Sequence, residues 1–188
     1  MSQNPTDSRI AAPPSVELDR ADPFGTPIPG DPVSLVRYAW ASEVHGQALF
    51  ERLAAAAGDG AARDYWRLLA RVEGATAACL EQLAMAHGIA PVDGPALRDL
   101  SATTAVNFRG RSPEAYFDWV GPQIDPYLID LKALGDYFAS SSERELVTLV
   151  IEHEEAIIRS WRLLSDGLEV ASAPLRGYLA LASRSGIG

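Results

Sequence analysis

Five side chains of this sequence could do chemistry together if the fold brings them to one place: Glu43, Glu73, Asp130, His153 and Glu154. Carboxylates turned inward need compensation, which metal ions, buried arginines, protonation or a water-filled cavity could each supply. Carboxylates held away from water also serve as general acids and bases, because burial raises their pKa values toward neutrality. Glu43, Glu73 and Glu154 are therefore candidate catalytic residues, and all five are candidate metal ligands. Thr76, Gln47 and Tyr127 share the same helix sectors and are candidates to line a pocket for a small-molecule substrate.

The selection rests on helical arithmetic, with each residue advancing about 100° around the axis. Glu43 and Gln47 fall in the apolar sector of Val36, Trp40 and Phe50, and Glu73 and Thr76 fall in that of Tyr65, Leu69 and Leu80. Asp130 lies between Leu134 and Tyr137. In the stretch LVIEHEEAIIRSW, residues 149–161, His153 and Glu154 share the arc of Val150, Ile157 and Trp161, whereas Glu152 and Glu155 fall with Arg159 and Arg162 on the opposite, solvated side. A register error of about 30° would bring Glu152 back toward the interior. His45 and His87 are read as surface residues, Cys79 as a small buried hydrophobe, and Thr76 as able to bond a backbone carbonyl one turn earlier. Tyr65, Trp66, Tyr137 and Trp161 are read as core aromatics.

Helices must position these groups, and their limits are legible. Asp31-Pro32 is an N-cap followed by a first-turn proline, so a helix is expected over 32–57, ending at Gly58-Asp59-Gly60. A second is expected over 61–87, stopped by Gly88 with Pro91 beyond. Residues 88–111 read as a long connection with a short helix at PALRDL. Ser112-Pro113-Glu114 starts a further helical stretch, broken or bent at Gly121-Pro122 and Asp125-Pro126, with its main part over 126–139. Ser142 and Glu145 fit a capping box for a helix over 143–166, and APLRGYLALASRSG adds a short last one. Two helix pairs with short turns, joined by one long connection, make a four-helix bundle with one crossover. The expected fold is thus all-α, in two parts: a Pro-rich arm over 1–31, with Phe24 and Ile28 as docking points, and a helical bundle over 32–188. Seven of the thirteen prolines precede residue 33, which is why the arm reads as extended or disordered.

The inward carboxylates in these settings resemble the ferritin-like superfamily, particularly rubrerythrin-type chains. The resemblance is carried by ASEVHGQALFERLA, ARVEGATAACLEQL and LVIEHEEAIIRSW and spans about residues 33–167. It implies a paired-iron site in which Glu43 and Glu73 match the ligands of the first two long helices, with Asp130 as a stand-in on the third. The motif is degenerate. Thr76 stands where the family has the second helix's histidine, and no Glu-x-x-His occurs in the last stretch: pairing His153 gives Val150, Glu152 gives Glu155, and Glu154 gives Ile157. The implied function is a divergent metal-dependent oxidoreductase, with iron or manganese as cofactor, acting with oxygen or peroxide on a small substrate. The alternatives are an enzyme of the same fold that has lost its metal and uses buried carboxylates for acid–base chemistry, and a non-catalytic interaction bundle. The resemblance leaves room for a homodimer.

Composition narrows the classes. The chain has 188 residues, 47% of them apolar, a net charge of −9 and one cysteine. A single domain has room for a proper core at this length. The acidic balance argues against nucleic acid and anionic membranes as partners. One cysteine excludes an intrachain disulfide. Neither a spanning apolar run nor a signal-peptide core is present, so a cytoplasmic location is expected. Phosphate-loop, dinucleotide and Gly-x-Ser-x-Gly motifs are lacking.

Overall fold

The structure, a computed structural model, describes residues 30–58, 60–138 and 141–186; the side chains of residues 123, 125, 126, 141 and 142 are outside the description. The expected arm, with its docking residues Phe24 and Ile28, and the Ser142 side chain of the expected capping box also lie outside the described residues. Helices account for nearly all that is described: α1 (Pro32–Ala56), α2 (Gly60–Ala86), α3 (Gly94–Phe108), α4 (Pro113–Tyr137), α5 (Ser141–Arg162) and α6 (Leu168–Arg184), with a 3-10 turn at Leu164–Asp166. The described residues are all-α, as the sequence indicates. Among the described residues no helix is long and apolar enough to cross a membrane.

Local chemistry sets the helix ends. The Asp31 carboxylate accepts the Ser34 N–H at 2.9 Å, with Pro32 in the first turn, satisfying one of the donors a helix start leaves orphaned. Asp93 does the same for α3 through Ala96, and Ser112 for α4 through Ala115. Gly167, at φ 106°, turns the chain between the 3-10 turn and α6, a conformation that strongly favours glycine.

α1 packs along α2, α2 also along α5, and α5 along α4, while α1 and α4 touch only lightly; α6 lies against both α2 and α5. Two apolar clusters fill the interior. One gathers Leu49, Phe50, Tyr65, Leu69, Phe117, Ile157 and Leu175, and the other Val36, Trp40, Leu80, Leu83, Leu131, Leu134 and Val150. The polar side chains described below come from sequence positions between these two sets.

Three expectations about elements are corrected. α4 runs without a break through Gly121-Pro122 and Asp125-Pro126. The indole of Trp161 lies so close to Gly121 that a Cβ there would collide with it; close packing against α5 holds together a segment that local propensity alone would interrupt. The connection from 88 to 111 contains a full fifteen-residue helix, α3, laid against α1. α6 begins at Leu168, ahead of the expected last helix, and continues through Pro174.

Candidate metal centre

α1 brings Glu43 to the interior, α2 brings Glu73, and α5 brings His153 and Glu154. Their exposures are 1%, 8%, 2% and 6%. The helical reading of α5 therefore holds at this point: His153 and Glu154 face inward, while Glu152 and Glu155 remain part-exposed beside Arg159, at 3.7 Å each. Lys132 reaches Glu155 at 3.2 Å.

The imidazole of His153 is the hub. Its Nε2 lies 3.6 Å from Glu43 Oε2 and 3.6 Å from Glu73 Oε1, and its Nδ1 lies 3.6 Å from Glu154 Oε1. Glu43, His153 and Glu154 each offer a ligand atom, and these three atoms lie within 4.8 Å of one another. The donor pairs are too far apart for hydrogen bonds. Among the described residues Glu43 Oε2 and both nitrogens of His153 are buried with no hydrogen-bond partner. Leaving such atoms unsatisfied costs about 1–3 kcal/mol each, more for charged groups. A cation among them, bound by Glu43 Oε2 and one nitrogen of His153, would relieve part of that cost. The residues thus fit a metal ion on donor type, spacing and unmet bonding capacity.

The electrostatics agree. Burial pushes the Glu43 carboxyl well above the ordinary 4.5, and the charges of Glu73 and Glu154 push it further. Burial raises Glu154 to about 7, with the charge of His153 opposing and that of Glu73 assisting. For His153, burial alone would lower the pKa, but the Glu73 and Glu154 carboxylates beside it outweigh burial and the net direction is up. Without a bound cation, the cluster holds protons that an exposed set would have released.

Two buried tyrosine hydroxyls feel the charge of the cluster. Tyr127, from α4, has a buried hydroxyl with no hydrogen-bond partner among the described residues. Burial raises its pKa well above the ordinary 10, and Glu43 and Glu154 add to the rise, so it stays a donor. Burial likewise raises Tyr116, with Glu73, Glu154 and Glu43 contributing.

Thr76 occupies the next turn of α2 and is fully buried. Its hydroxyl donates to the Val72 carbonyl at 3.1 Å, one turn back, and lies 2.7 Å from the Tyr178 hydroxyl of α6. Because the Thr76 proton is engaged, Tyr178 is the donor in that pair. The Tyr178 ring stands 5.6 Å, centroid to centroid, from that of His153.

The remaining sequence candidates stand apart. Asp130 is only half-buried and is not among the converging ligand atoms; α4 faces the cluster with Tyr127 instead. Gln47 is half-buried and donates to Glu51 at 3.1 Å. A Cβ at Gly74 would lie 3.2 Å from its amide, so Gln47 lies along the α2 backbone beside Glu73.

Two further readings change. His45 is buried, at 3% exposure, with Thr104 of α3 3.4 Å from its Nε2; burial lowers its pKa, with Glu73 opposing. Its helical angle put it opposite the core, but α3 covers that side of α1. Tyr137 is exposed although its type suggested core. His87 is exposed as expected, with its Nε2 2.6 Å from Glu143, and Cys79 is buried, its thiol pushed up to about 11 by burial.

Tyr178 was not singled out in the sequence. A signal existed: Ala171, Leu175, Tyr178 and Ala182 fall on one helical stripe, and all four are buried.

A surface groove of about 430 Å³, lined by residues including Leu53, Trp66, Phe108, Arg111 and Leu168, shares no residue with the cluster. No protein-family model, curated protein or solved structure matches this chain.

Proposed function

We propose that this chain is a divergent ferritin-like bundle that holds iron or manganese through Glu43, His153 and Glu154, with Glu73 beside them, and works as an oxidoreductase on a small substrate with oxygen or peroxide. The observation that supports it is the convergence of these side chains from α1, α2 and α5, with Glu43 Oε2 and both His153 nitrogens lacking partners among the described residues. Such a cluster of unmet polar atoms is costly unless it is compensated.

When bound, iron or manganese would supply one-electron chemistry with oxygen or peroxide. The chain's own groups have definable tasks. Glu154, whose pKa burial raises to about 7 in the ion-free cluster, would give up its proton on binding the ion. The Tyr127 hydroxyl, protonated and unpartnered among the described residues, is a hydrogen-bond donor within the electrostatic influence of Glu43. Leu131, Leu134 and Val150 keep the surroundings apolar, which strengthens every electrostatic interaction within.

The raised Glu43 and Glu154 values favour one second reading, proton-transfer catalysis without a metal. Elemental analysis of protein produced with iron and with manganese separates the two. Metal that co-purifies near stoichiometry and is lost in Glu43→Gln supports the first. A metal-free protein whose activity on a proton-transfer substrate falls in Glu43→Gln supports the second.

A further inference from the structure

We infer that the cluster is built for a single divalent ion per chain, held by Glu43, His153 and Glu154, with the Thr76–Tyr178 pair packed beside His153. The inference rests on the metal-binding reading above and deepens it.

The donors themselves set the number. Among the described residues the converging ligand atoms are those of Glu43, His153 and Glu154. Two carboxylates and one neutral imidazole balance the charge of one divalent ion. Glu73 is the remaining carboxylate, 3.6 Å from His153 Nε2. A second dication would sit in the same apolar interior with Glu73 as its main counter-charge, and like charges in a medium of low dielectric repel strongly. It would also lack an imidazole of its own. The described residues hold two other histidines. His45 lies on the side of α1 that α3 covers, and His87 is engaged with Glu143 near the surface.

One turn beyond Glu73, α2 carries Thr76, which is fully buried. That hydroxyl gives its proton to Val72 and receives one from Tyr178. Both partners are buried, so turning the oxygen toward an ion would leave the Tyr178 hydroxyl or the Thr76 proton without its bond. The Tyr178 ring, tilted against the imidazole, takes up room beside it. A phenol from α6 thus fills space next to the one imidazole of the cluster.

The test uses the full chain, stripped with a chelator, reloaded with excess Mn²⁺ and freed of loose ions by gel filtration. Metal per chain is read by elemental analysis, and the Mn²⁺ signal by electron paramagnetic resonance. One ion per chain with the six-line spectrum of an isolated Mn²⁺ is expected. Two ions per chain with a spin-coupled spectrum would overturn the single-ion assignment while leaving the metal-binding reading standing. No retained ion would overturn both. Glu154→Gln, which keeps shape and removes a buried charge, is expected to weaken Mn²⁺ binding at least tenfold with an unchanged circular dichroism spectrum; unaltered affinity in that variant would remove Glu154 from the ligand set.

Discussion

Gly46 of α1 faces Glu73 of α2 so closely that a Cβ at position 46 would lie 2.5 Å from Glu73 Oε2. The missing side chain is what lets the Glu73 carboxylate rest against α1 and still reach His153. Gly46→Ala is expected to push that carboxylate aside. The carboxylate ends a flexible side chain, so the fold should survive, but metal affinity should fall about 10- to 100-fold, the usual result of disturbing a ligand's surroundings. Calorimetric titration of wild type and variant with Mn²⁺ checks this, and equal affinities would show that Glu73's placement is irrelevant to the site.

The ion-free protein should be more stable in mild acid than in mild base. Glu43 and Glu154 have folded-state pKa values raised above the ordinary 4.5, Glu154 to about 7, and His153 is raised above 6.5. A group whose folded pKa is raised holds its proton more tightly in the folded state. Its stabilising contribution is complete below the unfolded value and disappears as pH climbs through the folded one. Thermal unfolding in the presence of a chelator should therefore show Tm decreasing by several degrees between pH 5.5 and pH 8. A Tm that rises over this interval would contradict the burial of these groups.

Loading should reverse that trend. Ligands must shed their protons to bind an ion, so apparent affinity is expected to increase from pH 5.5 to pH 7.5 as Glu43, Glu154 and His153 deprotonate. At Mn²⁺ a hundredfold above its dissociation constant, the stability gained is about 2.7 kcal/mol. The comparison is Tm with and without Mn²⁺ at each pH, and a gain that shrinks toward pH 7.5 would refute the linkage.

Removing the Tyr178 hydroxyl should cost stability without emptying the centre. Tyr178→Phe strips the Thr76 oxygen of its donor in a buried setting, a loss of about 1–3 kcal/mol. Urea denaturation measures the cost. Mn²⁺ per chain should remain at the wild-type value; its disappearance would mean that Tyr178 is itself a ligand.

Gly121→Ala tests the continuity of α4. In an open helix the change gains about 1 kcal/mol. Here the new methyl would meet the rigid indole of Trp161, and overpacking of this kind costs about 1–3 kcal/mol. A net fall in the urea midpoint is expected, and a rise would show that Trp161 swings away freely.

Period and capping carried much of the architecture into the sequence. Asp31-Pro32 located the start of α1, Gly88 the end of α2, and the angular positions of His153 and Glu154 their burial. What escaped was tertiary. His45 lies opposite the Val36 sector of its own helix, and only the packing of α3 on α1 turns that side into interior. α3 was hard to see because its second half, with Ser101, Thr103 and Thr104, has few strong helix formers. Asp130 and Tyr127 are one turn apart on α4, so a rotation within the uncertainty of helical arithmetic decides which of them meets the cluster. The close approach of α4 to α5 at Gly121 involves Trp161, a residue on another helix that no local rule includes.

His153 sits within reach of side chains from the first two helices, while its own helix comes near the end of the chain. An ion seated beside it would act as a clasp between the chain's beginning and its close. Backbone amides of α1, α2 and α5 would then exchange with heavy water as one slow group, where the empty protein would let them open separately.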